Sequence, residues 1–182
     1  SVKRTGQSPD KGSLYGRLSP VATACALLCA LSAPAFADNV YYTGNSADLQ
    51  TVPAGYGILS SQTNALFPGT GTDGNSVTVD VQTGGTNPSF VFGGMSNQLN
   101  AVADSNRVEI IQGTVLNDVN GGLTVSESAT IPATIIYAET VGNEVVMGNG
   151  ADARSVYGGN STAKHVLGHT GAVNTFSDSN SV

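Results

Sequence analysis

Beyond residue 75 the chain alternates apolar and polar positions with a period of two. Val77, Val79 and Val81 form one such run, Val108 and Ile110 a second, and Val145 and Met147 a third. That period puts one row of side chains on each face of an extended strand, so each run predicts a strand with one buried face. The runs also open alike, as Asn75-Ser76-Val77, Asn106-Arg107-Val108 and Asn143-Glu144-Val145, and Asn180-Ser181-Val182 starts a fourth copy. Steps between these asparagines are 31, 37 and 37 residues. A second unit, Val-x-Gly-Gly, recurs as Val91-Phe92-Gly93-Gly94, Val119-Asn120-Gly121-Gly122 and Val156-Tyr157-Gly158-Gly159. Its first glycine follows the Asn by 18, 15 and 15 residues, a phase too constant for composition bias.

One such unit cannot bury its apolar face alone, so copies at a fixed period stack on one another. The predicted fold is all-β: a parallel β-helix (β-solenoid) over residues 75–182, its repeats incomplete at the C-terminus. An antiparallel β-sandwich is the alternative, since short strands at regular spacing also build sandwiches. A 37-residue repeat accommodates one long coil with a loop or two coils of roughly 18 residues. If it is one coil, Asn75, Asn106 and Asn143 stack as an amide ladder along the axis. Gly93, Gly94, Gly121, Gly122, Gly158 and Gly159 read as repeat turns, supplying φ > 0 or a close backbone approach. Residues 38–74 show no copy of the repeat. Their Tyr41, Tyr42, Leu49, Val52, Ile58, Leu59, Leu66 and Phe67 read as an N-terminal cap region, because solenoid ends need shielding. Pro68-Gly69-Thr70-Gly71-Thr72-Asp73-Gly74 reads as the turn-rich link from that cap into the first repeat.

Residues 1–37 follow a different logic. An apolar run from Val21 to Leu31 follows a basic stretch and is broken by Ser32-Ala33-Pro34. Ala35-Phe36-Ala37 then has the small-x-small form of a signal-peptidase site, with cleavage expected between Ala37 and Asp38. The run is too short for a bilayer, which needs about 20 apolar residues. Residues 1–37 are therefore expected to be a signal peptide that exports the chain through the inner membrane. Cys25 and Cys29 both lie in the apolar run and leave with it, so the mature portion holds no cysteine. Ala22-Thr23-Ala24-Cys25 loosely resembles a lipobox but precedes most of the run.

Charge adds one exclusion. Residues 1–37 carry Lys3, Arg4, Lys11 and Arg17 against Asp10, a net of +3, whereas residues 38–182 carry three basic and twelve acidic residues, a net of −9. No basic cluster exists there to release counterions from a nucleic-acid backbone, so nucleic acid is not an expected partner. Catalytic patterns are thin as well. His165 and His169 are spaced i, i+4, but their segment is interrupted by Gly168 and has no Glu after the first His, so it reads as a loop and not a zinc helix. No Gly-x-Ser-x-Gly elbow occurs. Gly69-x-Gly71-x-Asp73 is one incomplete copy of a calcium nonapeptide and reads as a turn. Asp104, Glu109, Asp118, Glu127, Glu139, Glu144 and Asp152 are scattered, as on a solvated outer face. No metal, cofactor or catalytic residue is expected, and the chain is not read as an enzyme.

The signal followed by these repeats resembles the passenger regions of Gram-negative autotransporters. The closest stretches are Asn106-Arg107-Val108-Glu109-Ile110-Ile111-Gln112-Gly113-Thr114-Val115 and Ser155-Val156-Tyr157-Gly158-Gly159-Asn160-Ser161. The resemblance covers the signal and residues 75–182, and it implies a right-handed β-helical passenger carried to the cell surface by its own C-terminal outer-membrane barrel. No barrel lies within these 182 residues. Secreted haemagglutinins and trimeric adhesins share the signal-plus-repeat layout. The expected role is structural or adhesive, at the outer membrane, the cell surface or in secreted form, with host or neighbouring-cell surface molecules as partners. Two alternatives are an exported polysaccharide lyase or protease on the same scaffold, its active site outside this segment, and a truncated, non-functional passenger.

Overall fold

The computed structural model describes residues 38–69, 72–127, 136–164 and 173–182. These form a parallel β-solenoid of about three turns. Three sets of strands stack along its axis. β1 (Asn39–Tyr42), β3 (Ser76–Asp80) and the first stretches of β6 (Arg107–Glu127) and β8 (Glu144–Lys164) make one face. A second comprises β2 (Ala65–Leu66), β4 (Phe90–Ser96) and the far stretches of β6 and β8. β5 (Ala101–Val102), β7 (Ile136–Val141) and β9 (Val173–Asp178) form the third. Every pairing between these strands is parallel, which a sandwich of hairpins would not produce. Among the described residues, the one isolated antiparallel bridge joins Gln50 to Ala65 of β2.

The register answers the question of coil size. Arg107 pairs with Glu144, Val119 with Val156, Gly122 with Gly159, and Ile136 with Val173, each offset by 37 residues. A repeat is therefore one coil. β6 and β8 are long because each turns corners without leaving the ladder. Their pairing slips between Ile110 and Gln112 and again between Val115 and Asp118, and β-bulges of this kind bend a strand.

The alternating residues do what their period requires. Tyr42, Leu66, Val77, Val79, Val91, Val108, Ile110, Val115, Val119 and Val145 interlock as the inner core. Burying each of these side chains contributes about 1.5–3 kcal/mol, which is how a unit unstable alone is held by its neighbours.

The first residues are a correction to the reading of 38–74. β1 stacks on β3 with Val40 opposite Val77, and the Asp38 N–H donates to Asn75 Oδ1 at 2.9 Å. Asp38-Asn39-Val40 thus occupies the rung of the Asn-x-Val motif, with Asp in place of the first Asn. After Tyr42 the chain leaves the ladder through two short 3₁₀ turns, Ser46–Asp48 and Gly57–Leu59, and returns at β2. This excursion is a lateral flap. Its Val52, Tyr56, Ala65 and Phe67 pack on Phe90, Phe92, Leu123 and Val125, the outward row of β4 and β6. Of the cap residues read from sequence, Tyr42, Val52, Leu66 and Phe67 are buried, while Tyr41 and Ile58 are exposed.

Candidate functional site

Three features were candidates from the sequence. The first is the asparagine column. Asn75 Nδ2 donates to Asn106 Oδ1 at 2.9 Å, Asn106 Nδ2 to Asn143 Oδ1 at 2.9 Å, and Asn143 Nδ2 to Asn180 Oδ1 at 3.0 Å. Each acceptor also takes a backbone N–H of the previous Asn, at 3.0, 2.9 and 2.9 Å respectively. The second amide hydrogen goes to a carbonyl: Asn106 to Thr72, Asn143 to Ala103 and Asn180 to Thr140. Buried amides are costly unless paired, and here both ends are paired.

The glycine pairs are the second feature, and of the two roles expected of them, φ > 0 or close approach, they fill the second. All six lie within β4, β6 and β8, and none has a positive φ. They are glycines because the amide ladder packs on them. A Cβ at Gly94, Gly122 or Gly159 would fall 2.5, 2.7 and 2.6 Å from Nδ2 of Asn106, Asn143 and Asn180. This explains the constant phase of the two motifs, since one is the socket of the other. The positive φ values fall immediately before each Asn, where Gly74, Ser105, Gly142 and Ser179 have φ of 70°, 56°, 64° and 53°. Sequence inspection missed that column because Gly and Ser alternate in it.

The cleavage motif is the third. Ala35 and Ala37 lie outside the described residues, as do His165 and His169. Asp38 begins the solenoid. Of the acids, Glu109 and Glu144 flank Arg107, which is ion-paired with both. The guanidinium pKa is raised, chiefly by its hydrogen bond with Glu144. Asp104 accepts from the Val141 N–H at 2.7 Å, and its own backbone N–H donates to Asp73 Oδ1 at 2.9 Å. Burial pushes its carboxyl above the usual range, the Val141 bond opposes this, and Asp73 adds to it.

A different site emerges from the fold. Where the flap stops, the outward row of the sheet changes character: Leu123 and Val125 of β6 give way to their pairing partners Asn160 and Thr162 of β8. Between that polar row and the flap residues Tyr56–Leu59 runs a groove of about 330 Å³. A neighbouring groove of about 350 Å³ shares Ile58, Leu59 and Asp118 with it and continues to Arg154. Tyr157 stands in the column of Phe92 and Asn120, both buried, yet is 43% exposed because the flap no longer covers it. Lys164 Nζ reaches across to the flap, 3.5 Å from where a Cβ on Gly57 would be. Tyr56 lines the same groove, and burial pushes its phenol up to about 12, so it is neutral at ordinary pH. The chain matches no family model, no curated protein and no solved structure. Its class is therefore set by its geometry: a parallel β-solenoid laced by an internal amide ladder, with one lateral flap and an amphipathic groove beside it.

Proposed function

We propose that this chain is part of an exported surface passenger, an elongated scaffold with a structural or adhesive role, which contacts molecules of a host or neighbouring cell. The observation that carries the reading is a stack of in-register parallel coils directly behind a segment with basic, apolar and Ala-x-Ala parts. A solenoid grows along one axis while its outward rows stay free, which suits display of an extended surface. Many weak contacts along such a surface act together. The absence of cysteine after residue 37 favours passage of an unfolded chain through an envelope where disulfides form.

The test is expression of the whole chain, with an initiating Met, in a Gram-negative host. Processed protein outside the cytoplasm with Asp38 as its first residue is expected. Substitution of Ala37 by Leu should leave the full-length precursor. Unprocessed cytoplasmic protein in both cases would sink the export reading. Adhesion is tested separately by attachment of protein-coated beads to bacterial and epithelial cells; bare-bead levels on every surface would remove the adhesive role.

A further inference from the structure

We infer that the groove between the flap and β8 binds an acidic oligosaccharide, a chain of pyranose rings bearing carboxylate or sulfate groups. This deepens the adhesive reading and rests on it for its biological sense, though not for its geometry. Residues 38–182 contain only three cationic side chains. Arg107 is ion-paired with Glu109 and Glu144. The other two, Lys164 and Arg154, line the two neighbouring grooves, and neither has a carboxylate within ion-pairing distance among the described residues. In a portion with net charge −9, these two cations line adjoining grooves that share a single carboxylate, Asp118, so the local balance is positive against a negative background. Arg154 and Lys164 lie on the same strand, one at each of two adjoining grooves that share Ile58, Leu59 and Asp118.

The remaining lining selects the ligand class. Tyr157 offers a half-exposed ring face, and Asn160 and Thr162 offer amide and hydroxyl groups in the same outward row. A pyranose has an apolar face that packs on an aromatic ring and equatorial hydroxyls that pair with such groups. A flexible polyanionic peptide carries charge but no apolar ring face to set against Tyr157, so the lining favours a saccharide over an acidic peptide. An apolar helix would leave Lys164, Asp118 and Asn160 facing it unpaired. A sugar acid brings carboxylate or sulfate to Lys164 and Arg154, and its hydroxyls donate to Asp118 and pair with Asn160.

The test is calorimetric titration of the whole chain with four probes: tetragalacturonate, a chondroitin-sulfate tetrasaccharide, neutral cellotetraose and an octaglutamate peptide. Binding of at least one acidic saccharide is expected, with cellotetraose and the peptide at least about tenfold weaker. Which acidic probe binds separates a carboxylate-bearing from a sulfate-bearing ligand. Tyr157→Ala should weaken that binding about tenfold while Tyr157→Phe retains it, and Lys164→Gln and Arg154→Gln should each weaken it and flatten its salt dependence. The proposal is overturned if neither acidic saccharide binds, if cellotetraose or the peptide binds equally, or if Tyr157→Ala and Lys164→Gln leave affinity unchanged with circular dichroism intact. Bead attachment by these variants separates the two readings. Attachment that persists unchanged retains adhesion and discards the groove as its cause. Saccharide binding without cell attachment retains the groove and discards adhesion.

Discussion

At the scale of single residues, the asparagine column and the glycine pairs are one device. Asn106 makes four hydrogen bonds through its side chain, to the backbone and amide of Asn75, to Asn143 and to Thr72. Each contributes about 1 kcal/mol net, so Asn106→Ala should cost about 4 kcal/mol in chemical denaturation. Asn106→Asp retains the acceptor for Asn75 but donates to neither Thr72 nor Asn143, and should also be strongly destabilising. Gly122→Ala acts on the same contact from the other side. Its Cβ would meet the Ala103 carbonyl at 2.6 Å and the Asn143 amide, and about 3 kcal/mol of overpacking is expected. If socket and ladder are one unit, Asn143→Ala combined with Gly122→Ala should cost clearly less than the sum of the singles. The turn column behaves differently. At Gly142 a Cβ meets nothing nearer than Ser105 Oγ at 3.8 Å, so Gly142→Ala should cost only the backbone penalty of its positive φ, about 1 kcal/mol. Ser105→Gly, at φ 56°, should gain a similar amount by thermal melting.

At the scale of elements, the flap decides which parts of the second face are covered. The same outward row is Phe92 on β4, Asn120 on β6 and Tyr157 on β8, and coverage ends before the last. Tyr56 is the flap's titratable reporter. Its phenol rises from 10 to about 12 by burial, so the folded state holds the proton that the unfolded chain releases first. Its contribution is fully present below pH 10 and is lost as pH rises from 10 through about 12. Alkaline denaturation should therefore steepen in that window, and Tyr56→Phe should flatten it while leaving neutral-pH stability nearly unchanged. An identical pH profile for the variant would show that the flap does not bury this ring in solution.

At the scale of the whole molecule, stability is a sum of coil-to-coil interfaces. β6 is bonded on both sides, to β3 and β4 below and to β8 above, whereas β1 and β9 each have one partner strand. Hydrogen exchange should be slowest in β6 and fastest in β1 and β9, and Asn106→Ala should accelerate exchange in the flanking coils as well as its own. Uniform protection throughout would argue against nearest-neighbour coupling.

Much of this architecture was legible in the residues. The period of two announced the strands, the 37-residue phase announced stacking, and the asparagines announced their own ladder, because each depends on local spacing that chain order preserves. What the residues could not show was how distant segments meet. One coil or two is a choice of register, made by Arg107 lying opposite Glu144. Whether Gly122 turns or packs depended on Asn143, 21 positions away in sequence but adjacent across the interior. Asp38 concealed the first copy of the motif, since only stacking reveals that an Asp and an Asn share a rung. The groove was the least legible feature of all. Tyr56, Tyr157 and Lys164 belong to no common motif, and they converge only because a flap from the first coil folds across the faces of later ones. Alternation along a strand states which side chains point together; which surface they then meet is decided by the register and reach of the folded chain.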